Sequence, residues 1–129
     1  MALNTKDFSN AVVSYSMFRL DGNRAVYIGP AHSDLVKDQV ILNSTAPKQS
    51  AQSYGNRRGG LNIVQTIKVA TPQSAATISR DMKLEALASV PVGATYDEFK
   101  ELVARMAGLL GDETYVKGLF LTGKIDYHA

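Results

Sequence analysis

The chain contains no cysteine, which removes disulfides, thiolate metal sites and cysteine nucleophiles at once. Histidine is nearly as scarce: His32 and His128 stand far apart, and His128 is the penultimate residue. A histidine-based metal site or catalytic triad is therefore not expected, and neither is any cofactor. No apolar run approaches the roughly 18 residues that a bilayer-spanning helix needs. The opening MALNTKDFSN lacks the basic-then-apolar layout of a secretory signal. A soluble intracellular protein without membrane association is expected. The most informative absence is local. From Gln39 to Arg80 there is no acidic residue, while Lys48, Arg57, Arg58, Lys68 and Arg80 all fall in that stretch.

The formal net charge of +2 thus hides a segregated field. Residues 1–42 balance, residues 43–90 carry six bases against two acids, and residues 91–129 carry six acids against four bases. A basic middle rich in Ser, Thr, Asn and Gln attracts a polyanion and offers it hydrogen-bonding groups. The plainer alternative is a solvated basic face with no partner.

At 129 residues the chain reads as one domain, large enough to bury roughly two-thirds of its extended-chain surface. Residues 11–20, AVVSYSMFRL, and 24–28, RAVYI, flank Asp21-Gly22-Asn23 and predict a β-hairpin. Residues 39–45, QVILNST, read as a further strand, and residues 50–60 as a basic turn. Along residues 61–69 Leu61, Ile63, Ile67 and Val69 alternate with Asn62, Val64, Thr66 and Lys68. Residues 71–77 read as a loop. Residues 78–90 give the clearest strand: Met82, Leu84, Ala86, Ala88 and Val90 share one face, and Asp81, Lys83, Glu85, Leu87 and Ser89 the other.

Thr95-Tyr96-Asp97-Glu98 is a capping-box sequence. Phe99, Leu102, Val103, Met106, Leu109 and Leu110 then form the apolar stripe of a helix ending near Leu110. Asp112 caps a second, shorter helix running to about Leu121, with Gly123 as its stop. Strands first and helices last predict an α+β domain with the helices on one face of an antiparallel sheet. The opposite, polar and basic face is then left for an extended partner. Thin elements that divide the apolar area favour self-association.

This order of elements resembles the coat proteins of single-stranded RNA bacteriophages, the leviviruses. The resemblance lies in the basic turn Gly55-Asn56-Arg57-Arg58 feeding Thr66-Ile67-Lys68-Val69, and in the run from Ile78 through Pro91 into the capped helix. A tail holding Tyr127 near the chain end adds to it. The resemblance implies an N-terminal hairpin (residues 1–30), a central sheet (31–92) and a helical dimerisation segment (95–122). It also implies an interlocked homodimer with a continuous sheet, an icosahedral shell, and an inner sheet face that binds genomic RNA and an operator hairpin that represses replicase translation. Its location is then the virion, assembled in the bacterial cytoplasm.

Carried over residue by residue, Thr66 and Lys68 match the family's Thr-x-Lys alternation, and Arg57 and Arg58 its basic turn. Asn43 and Thr45 fit the polar positions of the preceding strand, while Lys83 and Glu85 occupy the wet face of the last one. Lys48 and Asn62 complete the expected RNA-facing set. Phe99, Leu102, Val103, Met106, Leu109 and Leu110 form the expected dimer interface. The well-studied relatives stack an aromatic near the Lys83 position on an unpaired base, and Tyr54 is the substitute on offer here. The segments from Gly29 to Gln39 and from Thr71 to Thr77 are shorter than in those relatives.

Two other classes compete: a small dimeric cellular RNA-binding module without a shell, and a small α+β enzyme. Against the enzyme, the sequence shows no Ser/His/acid grouping, metal-ligand cluster or phosphate loop. Asp97, Glu98 and Glu101 lie at a helix start, where the helix dipole accounts for them.

Overall fold

The structure, a computed structural model, describes residues 2–73 and 76–125. It separates into two compact units that divide between Val92 and Gly93. The first is a six-stranded antiparallel sheet whose spatial order equals its chain order. Its strands are β1 (Ala2–Lys6), β2 (Val12–Asp21), β3 (Arg24–Ile28), β4 (Asp38–Thr45), β5 (Asn56–Ala70) and β6 (Thr77–Pro91). The predicted hairpin is β2–β3, closed by Gly22-Asn23 between the paired Asp21 and Arg24. Only the first of the two turn residues has positive φ (Gly22, 54°), the backbone signature of a II′ turn.

Two features depart from the sequence reading. β1 is an unforeseen strand that pairs with β2 and extends the sheet. Residues 56–60, expected in a turn, are the first five of the fifteen residues of β5, paired opposite Leu87–Pro91 of β6. Gly59-Gly60 reads as a breaker in isolation. A continuous partner strand supplies its backbone hydrogen bonds and overrides that local preference.

Apolar residues on the two faces form two separate small clusters. Tyr15, Ala25, Tyr27 and Val40 make one, with Leu3, Val13 and Leu42 packed against it. Val26, Ile41 and Val64, at alternate positions, make the other. No described side chain is fully enclosed. The first cluster is pinned by Asp38, a buried carboxylate that accepts from Tyr15 Oη at 2.8 Å and from the Ala31 backbone N–H at 3.3 Å. Gly29 approaches this pair so closely that a Cβ there would strike both Asp38 and Tyr15. The start of the β3–β4 connection is therefore folded closely over one polar anchor, Asp38.

The second unit begins with α1 (Tyr96–Leu110). The capping box forms as expected: Glu98 N–H donates to Thr95 Oγ1 at 3.4 Å, and Thr95 N–H donates to Glu98 Oε1 at 3.0 Å. The Thr95 hydrogen bonds hold the Glu98 carboxyl below its ordinary value. Beyond Gly111, Asp112 caps α2 (Glu113–Val116). The expected helix to about Leu121 is not a uniform α-helix, because Lys117–Leu121 form a π-helical turn. Gly118 weakens the helix there. Thr122 Oγ1 also donates to the Gly118 carbonyl at 2.7 Å, competing for the group that an α-helical N–H would use.

Burial pushes the Tyr15 phenol up from 10.0 to about 12, with the bond to Asp38 as the second cause. The neutral phenol is thus favoured by folding, and its contribution is complete below pH 10 and lost as pH rises towards 12. Urea unfolding of wild type and Tyr15→Phe is expected to show this. At neutral pH the variant loses about 1–3 kcal/mol, because a buried acceptor goes unpaired. The gap between the two proteins then closes between pH 10 and pH 12.

Candidate nucleic-acid interface

The register of β3 to β6 builds one polar surface row by row. Arg24 lies opposite Asn43, Asn43 opposite Gly60, and Gly60 opposite Leu87. The flanking rows run Thr45–Arg58–Ser89 on one side and Ile41–Asn62–Glu85 on the other. Gln39–Val64–Lys83, then Thr66–Asp81 and Lys68–Ser79, continue it. Directly paired residues share a face, and neighbours along a strand alternate. Eight of the ten sequence-selected residues therefore come together on this side: Asn43, Thr45, Arg58, Asn62, Thr66, Lys68, Lys83 and Glu85. Two do not. Arg57 pairs with Val90 and joins the opposite face, and Lys48 lies in the exposed loop after β4. Arg57 was expected beside Arg58 because both match the family's basic turn, whereas a strand sends adjacent side chains to opposite faces.

The floor of this surface is the buried Val26, Ile41 and Val64 cluster. Above it opens a cleft of about 500 Å3, lined among others by Arg24, Asn43, Asn62, Asp81 and Lys83. Asn62 Oδ1 is shut from solvent and accepts no hydrogen bond among the described residues. Thr66 is not a free reader of a ligand. Its hydroxyl donates to Asp81 Oδ1 at 2.9 Å and accepts from the Lys37 backbone N–H at 2.9 Å. Lys37 Nζ closes the triangle on Asp81 at 3.2 Å. The Thr66 hydrogen bond, and after it the Lys37 one, hold the Asp81 carboxyl below its ordinary range.

Lys83 is likewise engaged, 3.1 Å from Glu85 on its own strand rather than across strands. The cations of this face without a carboxylate partner among the described residues are Arg24, Arg58 and Lys68. That makes three per chain, against the five cations of the expected set, Lys48, Arg57, Arg58, Lys68 and Lys83. Sequence reasoning missed Arg24 and Gln39. The signal for Arg24 was present in its phase, two residues before the inward-facing Val26, but the strand had been read only as half of a hairpin.

The other face of β5 and β6 is apolar. Leu61, Ile63, Ile67 and Val69 meet Ala86, Leu84, Arg80 and Ile78, with Met82 opposite Gln65. Arg57, Gln65 and Arg80 are its polar members on these two strands. Ile78, Met82 and Leu84 are each 44–51% exposed. β6 is also an edge strand, with β5 as its only neighbour among the described residues. Within the helical unit no residue of α1 is buried. Phe99 is half-buried, and Leu102, Val103, Met106, Leu109 and Leu110 are 41–61% exposed. Asp97–Lys100 and Glu101–Arg105 ion pairs occupy the helix surface away from that stripe.

Among the described residues no group of three or more His, Cys, Asp or Glu side chains is placed to hold a metal ion. No described helix is long and apolar enough to cross a membrane. The Tyr127 and His128 positions lie outside the described residues, as does part of the loop between β5 and β6.

No protein-family model matches the chain, and neither does any curated protein. Solved structures do match. The chain is similar to one from the virus-like particle of Beihai levi-like virus 32, with TM-score 0.77 and 19% identity over 91% of each chain. It is similar to one from the virus-like particle of Wenzhou levi-like virus 4, with TM-score 0.75 and 25% identity over 95% of this chain and 84% of that one. A third, from the virus-like particle of bacteriophage AVE019, gives TM-score 0.74 and 12% identity over 98% and 97%. The fold of this protein is that of levi-like coat subunits: an antiparallel sheet followed by C-terminal helices.

The division of the two arginines yields a direct expectation. If this face takes single-stranded RNA, Arg58→Ala is expected to lower the log–log salt slope in filter binding by about 0.7 for each phosphate it no longer neutralises, and Arg57→Ala to leave the slope unchanged. Equal effects of the two would mean that Asn56–Gly60 do not hold the strand register described.

Proposed function

We propose that this protein is a structural capsid subunit of a single-stranded RNA bacteriophage, acting without catalysis. Two copies form a homodimer, dimers assemble into a closed icosahedral shell, and the polar sheet face holds genomic RNA inside it. The observation that carries this reading is the match to chains from virus-like particles of a levi-like virus and of a bacteriophage over nearly the full length of both partners.

The physical features support the same arrangement. A fifteen-residue edge strand, β6, offers a row of backbone donors and acceptors that a second β6 can pair, making one continuous sheet. The apolar face of β5 and β6 and the stripe of α1 are both exposed within one chain. In the dimer the stripe of each copy covers the apolar face of the other, and both surfaces leave water together. Pairing of two copies also doubles the three unpartnered cations of the polar face to six. RNA-dependent repression of a replicase message belongs to this reading as a further step, through a hairpin held on the same face.

Expression in bacteria, followed by gel filtration, negative-stain microscopy and nucleic-acid absorbance of the large fraction, tests the reading. Roughly spherical particles carrying RNA are expected, and a monomer at all concentrations would remove the capsid assignment. Within that assay Met106→Asp is expected to abolish particles, because it places an unpaired charge in an apolar contact at a cost of several kcal/mol. Lys100→Ala, which breaks only an exposed ion pair worth well under about 1 kcal/mol, is expected to leave them intact.

A further inference from the structure

One large apolar side chain stands on the polar face with nothing to cover it. Leu87 is 77% exposed, and its row holds Gly60 at the centre and Asn43 beyond. Along this face of β6 its neighbours are Glu85 and Ser89. The glycine is what makes the place a slot. A Cβ at Gly60 would lie 3.2 Å from Leu87 Cδ2 and 3.5 Å from Asn43 Nδ2, so any other residue fills the floor. The result is a cleft of about 320 Å3 in which Arg58, Asn43, Thr45, Leu87 and Ser89 surround bare backbone.

We propose that this Leu87–Gly60 cleft is a stacking subsite for one unpaired nucleobase of single-stranded RNA. The inference rests on the reading of the polar face as the RNA side and names what that face takes at this point. Leu87 and Arg58 are diagonal neighbours across β5 and β6, and such pairs stand roughly 7–8 Å apart. Successive stacked bases are spaced by about 3.4 Å, so a planar ring entering between the two side chains stands one stacking interval from each. Leu87 supplies the apolar wall on one ring face. The Arg58 guanidinium, which has no carboxylate partner among the described residues, stacks on the other and attracts the adjoining phosphate.

The Asn43 amide and the Thr45 hydroxyl lie at the edge of the slot, where the donors and acceptors of a base fall. Ser89 Oγ already accepts from Asn56 Nδ2 at 2.9 Å, which fixes it in place and leaves its own proton to give. An apolar peptide would satisfy Leu87 but would leave the arginine and amide unpaired. A base satisfies all of them.

The test uses the full-length protein dissociated from shells, with its polar face open, and two probes: a short strand of abasic sugars carrying one central 2-aminopurine, and the same strand with that base deleted. Wild type is expected to bind the base-bearing strand about 5- to 100-fold more tightly than the abasic one and to quench its fluorescence. Leu87→Ser and Gly60→Ala are each expected to abolish both the difference and the quenching, with the salt slope unchanged. Leu87 is exposed, so its replacement leaves the sheet intact, and circular dichroism with particle images confirms folding for each variant.

Equal affinities of wild type for the two strands, with a steep salt slope retained, would overturn the subsite while leaving RNA binding in place. Absence of binding to either strand would overturn the RNA reading and the subsite with it. Loss of particles in Leu87→Ser with base discrimination intact would show that a protein neighbour, not a base, occupies the cleft.

Discussion

The fifteen-residue antiparallel register between β5 and β6 is the constraint on which the rest of the molecule depends. Side chains alternate with period two, so one uninterrupted register fixes two surfaces at once. It sets Leu61, Ile63 and Ile67 against Leu84, Ala86 and Arg80 on one side. It sets Arg58, Asn62 and Lys68 beside Ser89, Glu85 and Ser79 on the other. A slip of one residue would exchange the two sets and place cations on the face that needs an apolar cover. Fifteen consecutive pairs without a bulge make such a slip costly, whereas β2 carries its irregularity near Phe18, far from this pair.

What remains exposed is as informative as what is buried. A sheet with a small apolar cluster on each face and no fully enclosed side chain has a thin interior for a chain of this length. Large apolar side chains, Ile78, Met82 and Leu84 on β6 and Leu102, Val103 and Met106 on α1 among them, stay exposed. Their placement on flat or ridged surfaces, rather than around a pocket, suits a second copy of the chain better than a small ligand. The polar face follows a different logic. Its acids are all engaged locally, Asp81 by Thr66 and Lys37 and Glu85 by Lys83, which leaves its positive groups the freer ones.

Much of this was legible in the sequence, and the failures share one cause. The capping box at Thr95, the alternation along β6 and the strand at β4 are encoded within a few residues, so local reading finds them. The mistakes fall where tertiary pairing outvotes local preference. Gly59 and Gly60 signal a turn alone but sit in a strand when β6 lies alongside, and that single error put Arg57 on the wrong face. β1 has too little apolar content to announce itself and exists because β2 offers an edge. Arg24 was invisible as a site residue until the order of strands brought it opposite Asn43. The engagement of Thr66 by Asp81 could not be read at all, because it joins residues on separate strands to a loop lysine.

The central claim is that the edge and the apolar face of β6 are completed by a second copy of the chain. Amide hydrogen exchange along Thr77–Pro91, resolved to single residues in the assembled protein, tests this most directly. In an isolated edge strand every second amide points away from β5 and exchanges freely. The account predicts slow exchange at consecutive amides throughout the middle of β6. Protection at alternate amides only would mean that the edge is open, and would contradict it.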